Sequence, residues 1–250
     1  MNNNIEDKII LLKREFEIIK EKGWIKSSSN GRGNIGMTFE RELGLTPNQF
    51  EIPDFDGIEI KTKQDETTPF LTLFSATFDG TYLFEMRRVA EMYGEYDRSF
   101  KNKKILYCSV NSLNFTRLTS GVKMRINVCF EEKKVYLLIY DNFGNLIDRQ
   151  SYWSFELLKG KLERKLSYLA LVSAKRSVAG EREFFYYYDI KFMRLKSFSE
   201  FLRLLDLGKI SIYFKYGVYR SGTKVGKSCD HGTSFDIRRD DLKRLFDYIY

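Results

Sequence analysis

Residues 53–61 (PDFDGIEIK) place a carboxylate just before a short predicted strand, and a second carboxylate and a lysine on that strand. Glu59 and Lys61 are two residues apart, so their side chains point to the same face of the strand. Asp54 can reach that face because Gly57 allows the chain to turn into the strand. Carboxylate oxygens bind Mg²⁺, and a metal ion beside a lysine can neutralise charge that develops on a phosphate. The pattern predicts metal-assisted hydrolysis of a phosphodiester.

An ordinary amphipathic strand accounts for the same residues. Ile58 and Ile60 alternate with the polar residues Glu59, Lys61 and Lys63, which is the period of two expected of a strand with one buried face. In this alternative, Glu59 and Lys61 form an ion pair on a solvated surface, and no chemistry follows. The rest of the chain has to distinguish the two interpretations.

A third carboxylate lies upstream, on a predicted helix at residues 34–43 that Asn34 caps and Gly44 closes. Glu40 shares a face of this helix with small and apolar residues. Glu42 lies about 200° away around the helix axis, among more polar neighbours. We therefore predict that Glu40 is the inward-pointing acid. The alternative is an ordinary glutamate that the helix dipole favours near the start of a helix.

The composition excludes several classes of protein and of site. With 250 residues, 43% hydrophobic and 16% aromatic, the chain can form one sizeable globular domain or two lobes that share a core. A single histidine and three scattered cysteines argue against a histidine-rich zinc site and a disulfide framework. No apolar run is long enough to span a membrane, and the N-terminus lacks the apolar centre of a secretion signal. We expect a soluble cytoplasmic protein with no membrane partner.

The charge favours a polyanionic partner. Lysine and arginine number 42 against 34 aspartates and glutamates, which gives a net charge of +8. Residues 209–227 contain no acid, and their basic residues alternate with tyrosines: Lys209, Tyr213, Lys215, Tyr216, Tyr219, Arg220, Lys224 and Lys227. This segment is the predicted polyanion-binding surface.

The periodicities predict elements that would position these residues. Helices are predicted at residues 5–22, 34–43, 82–93, 155–162, 198–205 and 240–248. Strands are predicted at residues 59–63, 71–74, 104–109, 122–130, 135–140, 166–178, 184–193, 210–214 and 233–237. We expect strands 104–109, 122–130 and 135–140 to form a meander, and strands 166–178 and 184–193 to form a long arm. The order of elements predicts an α+β fold with a mixed sheet, in two lobes around a cleft.

Three groups of segments together resemble the MvaI/BcnI-type restriction endonucleases. The first group is residues 33–40 (GNIGMTFE) with residues 53–61. The others are residues 152–155 (YWSF) through 168–174 (YLALVSA), and residues 217–222 (GVYRSG) with 230–233 (DHGT). The resemblance spans most of the chain in the same order. This family is related to the mismatch-repair nickase MutH within the PD-(D/E)xK superfamily.

The resemblance implies a PD-(D/E)xK endonuclease-like fold, with a mixed β-sheet core flanked by helices. It implies a single restriction-endonuclease-like domain over residues 1–250, whose two lobes form a DNA-binding cleft. The catalytic lobe is expected to include about residues 1–95. Recognition elements are expected in the middle region and at about residues 209–238.

The resemblance also assigns catalytic roles. Asp54 and Glu59 would bind the metal ion, and Lys61 would orient or activate the attacking water and stabilise charge on the phosphate. Glu40 matches a helix carboxylate of the family motif, and would bind a second metal ion or hold a water molecule on the metal. The implied cofactor is Mg²⁺, with Mn²⁺ as a substitute and Ca²⁺ supporting DNA binding without cleavage. No nucleotide cofactor is implied.

The implied activity is site-specific cleavage of double-stranded DNA by a type II restriction enzyme. Family members act as monomers on short G·C-rich sites such as CCWGG or CCSGG, and cut one strand at a time. A CCNGG-like site and a monomer are therefore the expectations for this chain. A cognate DNA methyltransferase is the expected genetic partner, because a restriction enzyme requires protection of its own genome.

Base reading in such enzymes occurs largely in the major groove, where guanine accepts hydrogen bonds from basic side chains. The predicted DNA-binding residues are Lys215, Tyr219, Arg220, Lys224, Lys227, Asp230, His231 and Thr233. Phosphate contact is the default expectation for the lysines. Two positions depart from the relatives that cut CCWGG, because Cys229 stands where another imidazole is expected and Asp236 where a basic residue is expected. The recognition sequence is therefore less transferable than the fold and the chemistry.

Two functions other than restriction are consistent with the same residues. A MutH-like mismatch-repair nickase would share the chemistry but depend on partner proteins for cleavage. A non-catalytic DNA-binding protein would use the basic segment alone, with Glu59 and Lys61 as a surface ion pair. Unaided double-strand cleavage would distinguish the restriction enzyme from both.

Overall fold

The chain folds into two units that are interleaved along the sequence. The computed structural model describes residues 4–28, 34–45, 52–64, 69–79 and 85–249. Unit 1 comprises Met1–Pro69, Leu162–Lys196 and Phe246–Tyr250, and unit 2 comprises Phe70–Lys161 and Ser197–Leu245. Across the described ranges, no helix is both long and apolar enough to cross a membrane.

Helices and strands are mixed along the chain. The helices of the described residues are α1 (Ile5–Glu21), α2 (Asn34–Glu42), α3 (Glu85–Tyr93), α4 (Phe155–Leu166), α5 (Phe198–Asp206) and α6 (Leu242–Leu245). The strands of the N-terminal half are β1 (Ile25–Lys26), β2 (Glu59–Gln64), β3 (Phe70–Ser75), β4 (Glu95–Tyr96), β5 (Lys104–Val110), β6 (Thr116–Arg117) and β7 (Lys123–Cys129). Those that follow are β8 (Lys134–Tyr140), β9 (Leu146–Asp148), β10 (Tyr152–Ser154), β11 (Tyr168–Ala179), β12 (Arg182–Leu195), β13 (Ile210–Val218), β14 (Ser228–Asp230), β15 (Ser234–Arg238) and β16 (Phe246–Tyr248). Short 3₁₀ turns lie at Gly222–Lys224 and Arg239–Asp241.

Unit 1 is built on a mixed sheet with the order β1-β12-β11-β2, and β16 pairs with β12. Strands β11 and β12 are antiparallel, whereas β2 runs parallel to β11 with Leu169 opposite Glu59 and Leu171 opposite Lys61. One core lies between the sheet and helices α1 and α2, and includes the apolar stripe of α1 and the two isoleucines that precede and follow Glu59. Burial of these apolar side chains is what holds β2 and α2 together.

Unit 2 contains two sheets. One has the order β3-β15-β13-β5-β4 with β14 on β13, and the other has the order β10-β8-β7-β6 with β9 on β8. Trp153 on β10 is fully buried, and its ring packs edge-on against Phe235 of β15 at a centroid distance of 5.5 Å. Aromatic contacts of this kind join the two sheets into one core.

The predicted α+β fold with a mixed sheet is confirmed, and so are most of the predicted elements. The arm forms as β11 and β12, joined at Gly180, whose φ is 62°. The strand that carries Glu59 and Lys61 forms at Glu59–Gln64. Residue 33 of the first resembling segment and the predicted helix start at residues 82–84 lie outside the described residues.

Two predictions about the elements are wrong. The first strand of the expected meander, β5, pairs with β13 and β4 instead of β7. Its alternate buried residues match those of β13, a partner more than 100 residues away that local spacing does not indicate. The predicted closing helix at residues 240–248 is helical only at Leu242–Leu245. Phe246–Tyr248 is extended because it adds an edge strand to β12 and buries Phe246 there.

Candidate active site

A tight turn at Asp56 and Gly57 joins Asp54 to strand β2. The two residues that flank the turn exchange backbone hydrogen bonds of 3.0 and 2.8 Å. Asp56 and Gly57 have φ values of 44° and 97°, the type I′ hairpin geometry that an Asp-Gly pair favours. The turn brings Asp54 back to the start of β2, where its Oδ2 accepts a hydrogen bond of 2.9 Å from the Ile60 backbone N–H.

Glu59, the first residue of β2, is almost completely buried. Its side chain is 1% exposed, and its Oε1 lies 2.6 Å from the Nζ of Lys61 and 3.4 Å from the Nζ of Lys165. The other oxygen, Oε2, is buried and has no hydrogen-bond partner among the described residues. Because an unpaired buried carboxylate oxygen is costly, this atom is suited to binding a cation.

Helix α2 places Glu40 near Asp54 and the two lysines that contact Glu59. Phe39 is fully buried, and its ring centroid lies 4.9 Å from that of Tyr187 on β12, which fixes the helix on the sheet. Gly36 allows α2 to approach β2 closely, because a Cβ at this position would lie 3.3 Å from the Oγ1 of Thr62. The same Cβ would lie 3.7 Å from the Oε1 of Glu40. The side chain of Glu40 therefore extends along the side of α2 that faces β2.

Glu40 and Glu42 have different surroundings, although both belong to α2. Glu42 is paired, with its Oε2 2.9 Å from the Nζ of Lys22 and its Oε1 2.8 Å from the Nη2 of Arg41. The pKa of Glu40 is raised by burial and by repulsion from Asp54, against the opposing attraction of two lysines. Glu40 is thus coupled to Asp54, and Glu42 to cations outside the site.

The charges around Glu59 are coupled in the same way. Burial raises the pKa of Glu59, attraction to Lys61 and Lys165 lowers it, and repulsion from Asp54 raises it, with a net increase. These interactions define one group of side chains in unit 1, called here the acid–lysine cluster: Glu40, Asp54, Glu59, Lys61 and Lys165.

The acid–lysine cluster fits a hard divalent ion bound by two carboxylates. Over the part of the chain that the structure describes, no three His, Cys, Asp or Glu side chains are arranged so that they could hold a metal ion by themselves. Mg²⁺ rarely needs such a set, since it commonly binds one or two carboxylates and completes its shell with waters and substrate phosphate. The unpartnered Oε2 of Glu59, with Asp54 beside it, meets that requirement. Glu40 stays a predicted ligand.

Most of the predicted DNA-binding residues lie on or beside a hairpin of unit 2. Strands β13 and β14 are antiparallel, with Tyr216 opposite Asp230 and Val218 opposite Ser228, so residues 219–227 form the connecting loop. The side chains of Lys224, Lys227, Asp230 and His231 are exposed, and those of Lys215 and Tyr219 are half-buried. Thr233 differs from the rest because it is 2% exposed, with its Oγ1 3.7 Å from the Sδ of Met86.

The structure brings Tyr219, Lys224 and His231 together at the base of this loop. The Nζ of Lys224 lies 5.6 Å from the centroid of the Tyr219 ring, and the rings of Tyr219 and His231 meet edge to face at 6.4 Å. The Sγ of Cys229 lies 3.3 and 3.5 Å from the two ring nitrogens of His231. The backbone N–H of His231 donates to the Lys215 carbonyl at 2.9 Å. This arrangement presents an imidazole and an ammonium on one side of the hairpin.

Arg220 has a partner that the sequence did not indicate. Its guanidinium makes a two-pronged ion pair with the buried Asp97, with Nη1 2.9 Å from Oδ1 and Nη2 bonded to Oδ2. Asp97 also accepts hydrogen bonds from the backbone N–H groups of Ser99 and Phe100, at 2.9 and 2.8 Å. The ring of Phe100 lies under the guanidinium, 5.7 Å away. Arg220 is therefore held in a fixed orientation, although half of its side chain is exposed.

A family model that represents the MvaI/BcnI restriction endonuclease family matches residues 13–246. The chain belongs to this family. The predicted resemblance is confirmed, and membership makes the chain a type II restriction endonuclease, a site-specific deoxyribonuclease. Of the three interpretations of the sequence, this result favours the restriction enzyme.

Solved structures of the MvaI/BcnI family agree with this assignment. A complex of the restriction endonuclease MvaI with its cognate DNA substrate has a TM-score of 0.90 and 29% sequence identity, over 97% of this chain and 98% of that one. The structure of MvaI in the absence of DNA has a TM-score of 0.61 and 27% identity, over 97% of each chain. No curated protein sequence matched the chain.

Sequence reasoning missed two residues that matter to this family member's candidate sites, Lys165 and Asp97. Lys165 lies more than 100 residues from Glu59, and only the pairing of β11 with β2 brings it near. Asp97 lies in an irregular turn before β5, and no local pattern distinguishes it from other polar turn residues. Both contacts depend on tertiary structure.

Proposed function

We propose that this restriction endonuclease hydrolyses double-stranded DNA with Mg²⁺ at the acid–lysine cluster. One observation carries the proposal: the buried Glu59 has one oxygen held by lysine and a second oxygen without a partner, beside Asp54. Mg²⁺ supplies charge neutralisation at the phosphate and polarises water when it is bound. Asp54 and Glu59 would hold it.

The side chains of the cluster divide the remaining work. The Nζ of Lys61 is a cation at the edge of the site, with 24% of its side chain exposed, so it can donate to the attacking water or to a phosphate oxygen. Glu40 is the third carboxylate, and accepts hydrogen bonds from water in the site. The buried surroundings of Glu59 have a low dielectric, which strengthens each of these electrostatic interactions.

DNA binding is assigned to the hairpin of unit 2. Supporting observations are the acid-free basic segment at residues 209–227, the exposed cations on its loop and the likeness to an MvaI–DNA complex. His231, Arg220 and the polar side chains nearby would read base edges, and Lys224 and Lys227 would contact phosphates. We propose a monomer that cuts one strand at a time at a short CCNGG-like site, with a cognate methyltransferase as its genetic partner. Because Cys229 and Asp236 depart from the relatives that cut CCWGG, the recognition sequence would differ from theirs.

Digestion of a phage DNA of known sequence tests the proposal. With Mg²⁺ the protein should give a discrete set of fragments, and sequencing of their ends should identify one short site. Asp54→Asn, Glu59→Gln and Lys61→Met should abolish cleavage while each retains DNA binding in Ca²⁺, measured by fluorescence anisotropy. Lys63→Met, two residues farther along β2, is the matched control and should cut normally. Cleavage that survives the first three substitutions would rule out this cluster as the active site.

A further inference from the structure

A second lysine, Lys165, contacts the candidate active site from a different element. It lies in the last turn of α4, and the chain passes through Ser167 directly into β11. Because β11 runs parallel to β2 with Leu169 opposite Glu59, the end of α4 lies at the same end of the sheet as Glu59. The Nζ of Lys165 is 3.4 Å from the Oε1 of Glu59, and 30% of its side chain is exposed.

Both lysines bind the same oxygen of Glu59. Lys61 is the closer, at 2.6 Å, and Oε2 has no partner within the described ranges. In the proposed function Lys61 has to donate to water or to a phosphate oxygen, and it cannot keep its full contact with Glu59 while it does so. Without a second donor, Glu59 would then be a buried carboxylate held by nothing on Oε1. Such a group is costly and poorly oriented.

The charge of the cluster leads to the same requirement. With all groups ionised, three carboxylates and two ammonium groups leave one negative charge. A single divalent cation makes the cluster positive by one unit, which matches the single negative charge of a phosphodiester. Without Lys165 the cluster and its cation would be neutral, and the bound phosphate would lack a compensating charge.

We propose that Lys165 is a positioning residue that holds the Oε1 of Glu59, which frees Lys61 to act on the reacting phosphate. This inference rests on the proposed function. Lys165 acts through Glu59, and it has no role in reading the DNA sequence.

Lys165→Met tests the role, since it removes the charge and keeps most of the aliphatic stem. Single-turnover cleavage at saturating Mg²⁺ should slow by about ten- to a hundredfold, because Glu59 is displaced when Lys61 leaves it. DNA affinity in Ca²⁺ should change little, because Lys165 supplies only one of the positive charges near the DNA and the hairpin of unit 2 is unaltered. The dissociation constant for Mn²⁺ alone, measured by electron paramagnetic resonance without DNA, should fall by about three- to tenfold, because one nearby positive charge is gone. Slower cleavage with tighter Mn²⁺ binding is a combination that structural damage does not produce.

Two further variants complete the experiment. Lys165→Arg keeps a cation that can donate to Glu59, and should restore most of the cleavage rate and the wild-type Mn²⁺ affinity. Lys159→Met, an exposed position on the same helix, should leave both quantities unchanged.

The outcomes separate this inference from the proposed function. A normal cleavage rate in Lys165→Met would overturn the role of Lys165, and so would a slow variant with weaker Mn²⁺ binding and a lower melting temperature. Failure of Lys165→Arg to cut would also overturn it. If the wild-type protein does not cut with Mg²⁺, or if Asp54→Asn still cuts, the proposed function itself fails.

Discussion

At the scale of single residues, the most informative side chain is Glu59, because burial of its carboxylate lowers the stability of the fold. A charged carboxylate at 1% exposure is destabilising unless it is paired. Only one of its oxygens is paired, with Lys61 and Lys165. Its unpaired Oε2 lies in a cluster with two further carboxylates, Asp54 and Glu40, and this surplus of negative charge is what suits the site to a cation.

The contrast between Glu40 and Glu42 gives a matched pair of substitutions on one helix. Glu40→Gln should reduce Mg²⁺-dependent cleavage by about ten- to a hundredfold, since it removes a carboxylate coupled to Asp54. Glu42→Gln should leave cleavage unchanged, and cost at most about 1 kcal/mol of stability through its partly exposed pairs with Lys22 and Arg41. Single-turnover rates and urea unfolding measure the two effects. Equal loss of cleavage in both variants would mean that α2 is merely sensitive to substitution.

The ion pair between Asp97 and Arg220 predicts a pH-dependent stability. Hydrogen bonding to Arg220 and to backbone N–H groups lowers the pKa of Asp97 from its ordinary 3.8 to about 2. Its ionised form therefore stabilises the fold fully above pH 3.8, and this contribution is lost as the pH falls towards 2. Asp97→Asn should cost about 1–3 kcal/mol at pH 7. The difference in unfolding free energy between Asp97→Asn and the wild type should shrink between pH 4 and pH 2.

Urea unfolding at pH 7, 4 and 3 measures this difference. Asp206→Asn, at an exposed carboxylate of the same unit, is the control and should change stability little at any of these values. A pH-independent effect of Asp97→Asn would mean that the carboxylate charge is not what stabilises the loop.

At the scale of elements, local sequence patterns predicted the helices and strands whose formation depends on neighbouring residues. The alternation of Ile58 and Ile60 predicted β2, and Asn34 and Gly44 predicted the ends of α2. The side chain of Asn34 does not cap the helix as predicted, because Asn34 belongs to α2 and its amide donates to Glu183. Long-range pairing was not predictable in this way. The partner of β5, the strand at Phe246–Tyr248 and the approach of Lys165 to Glu59 each depend on registers between distant segments. Alternation also placed Glu59 on the polar face of β2 without showing that its side chain would be only 1% exposed.

The hairpin turn before β2 is an element whose geometry sets the site. Gly57 has φ of 97°, and a Cβ there would meet nothing within 4 Å, so Gly57→Ala should introduce backbone strain without a clash. The cost should be about 1–2 kcal/mol. The turn brings Asp54 to the start of β2, so the strain should also displace this carboxylate. The cleavage rate should therefore fall by a larger factor than the fraction of folded protein does. Gly180→Ala, with φ of 62° in the turn of the arm, should cost comparable stability and leave cleavage unchanged. Melting temperature and single-turnover rate separate the two effects.

At the scale of the whole molecule, chemistry and recognition are assigned to different units. Glu40, Asp54, Glu59, Lys61 and Lys165 belong to unit 1, and every predicted DNA-binding residue belongs to unit 2. Each unit has its own core, so a substitution in one need not disturb the fold of the other. Variants of the acid–lysine cluster should therefore lose cleavage but keep affinity, and variants of the hairpin should lose affinity first.

The net charge of +8 predicts how that affinity responds to salt. If the protein neutralises roughly six to ten phosphates, binding in Ca²⁺ should weaken by about 10³- to 10⁵-fold between 50 and 200 mM salt. Lys224→Ala and Lys227→Ala should each lower the slope of log affinity against log salt by about one, because each removes one phosphate contact. Lys13→Ala, an exposed lysine on α1, is the control and should leave the slope unchanged. Anisotropy titrations on a cognate duplex provide the slopes. Affinity that is flat with salt would show that residues 209–227 are not the DNA-binding surface.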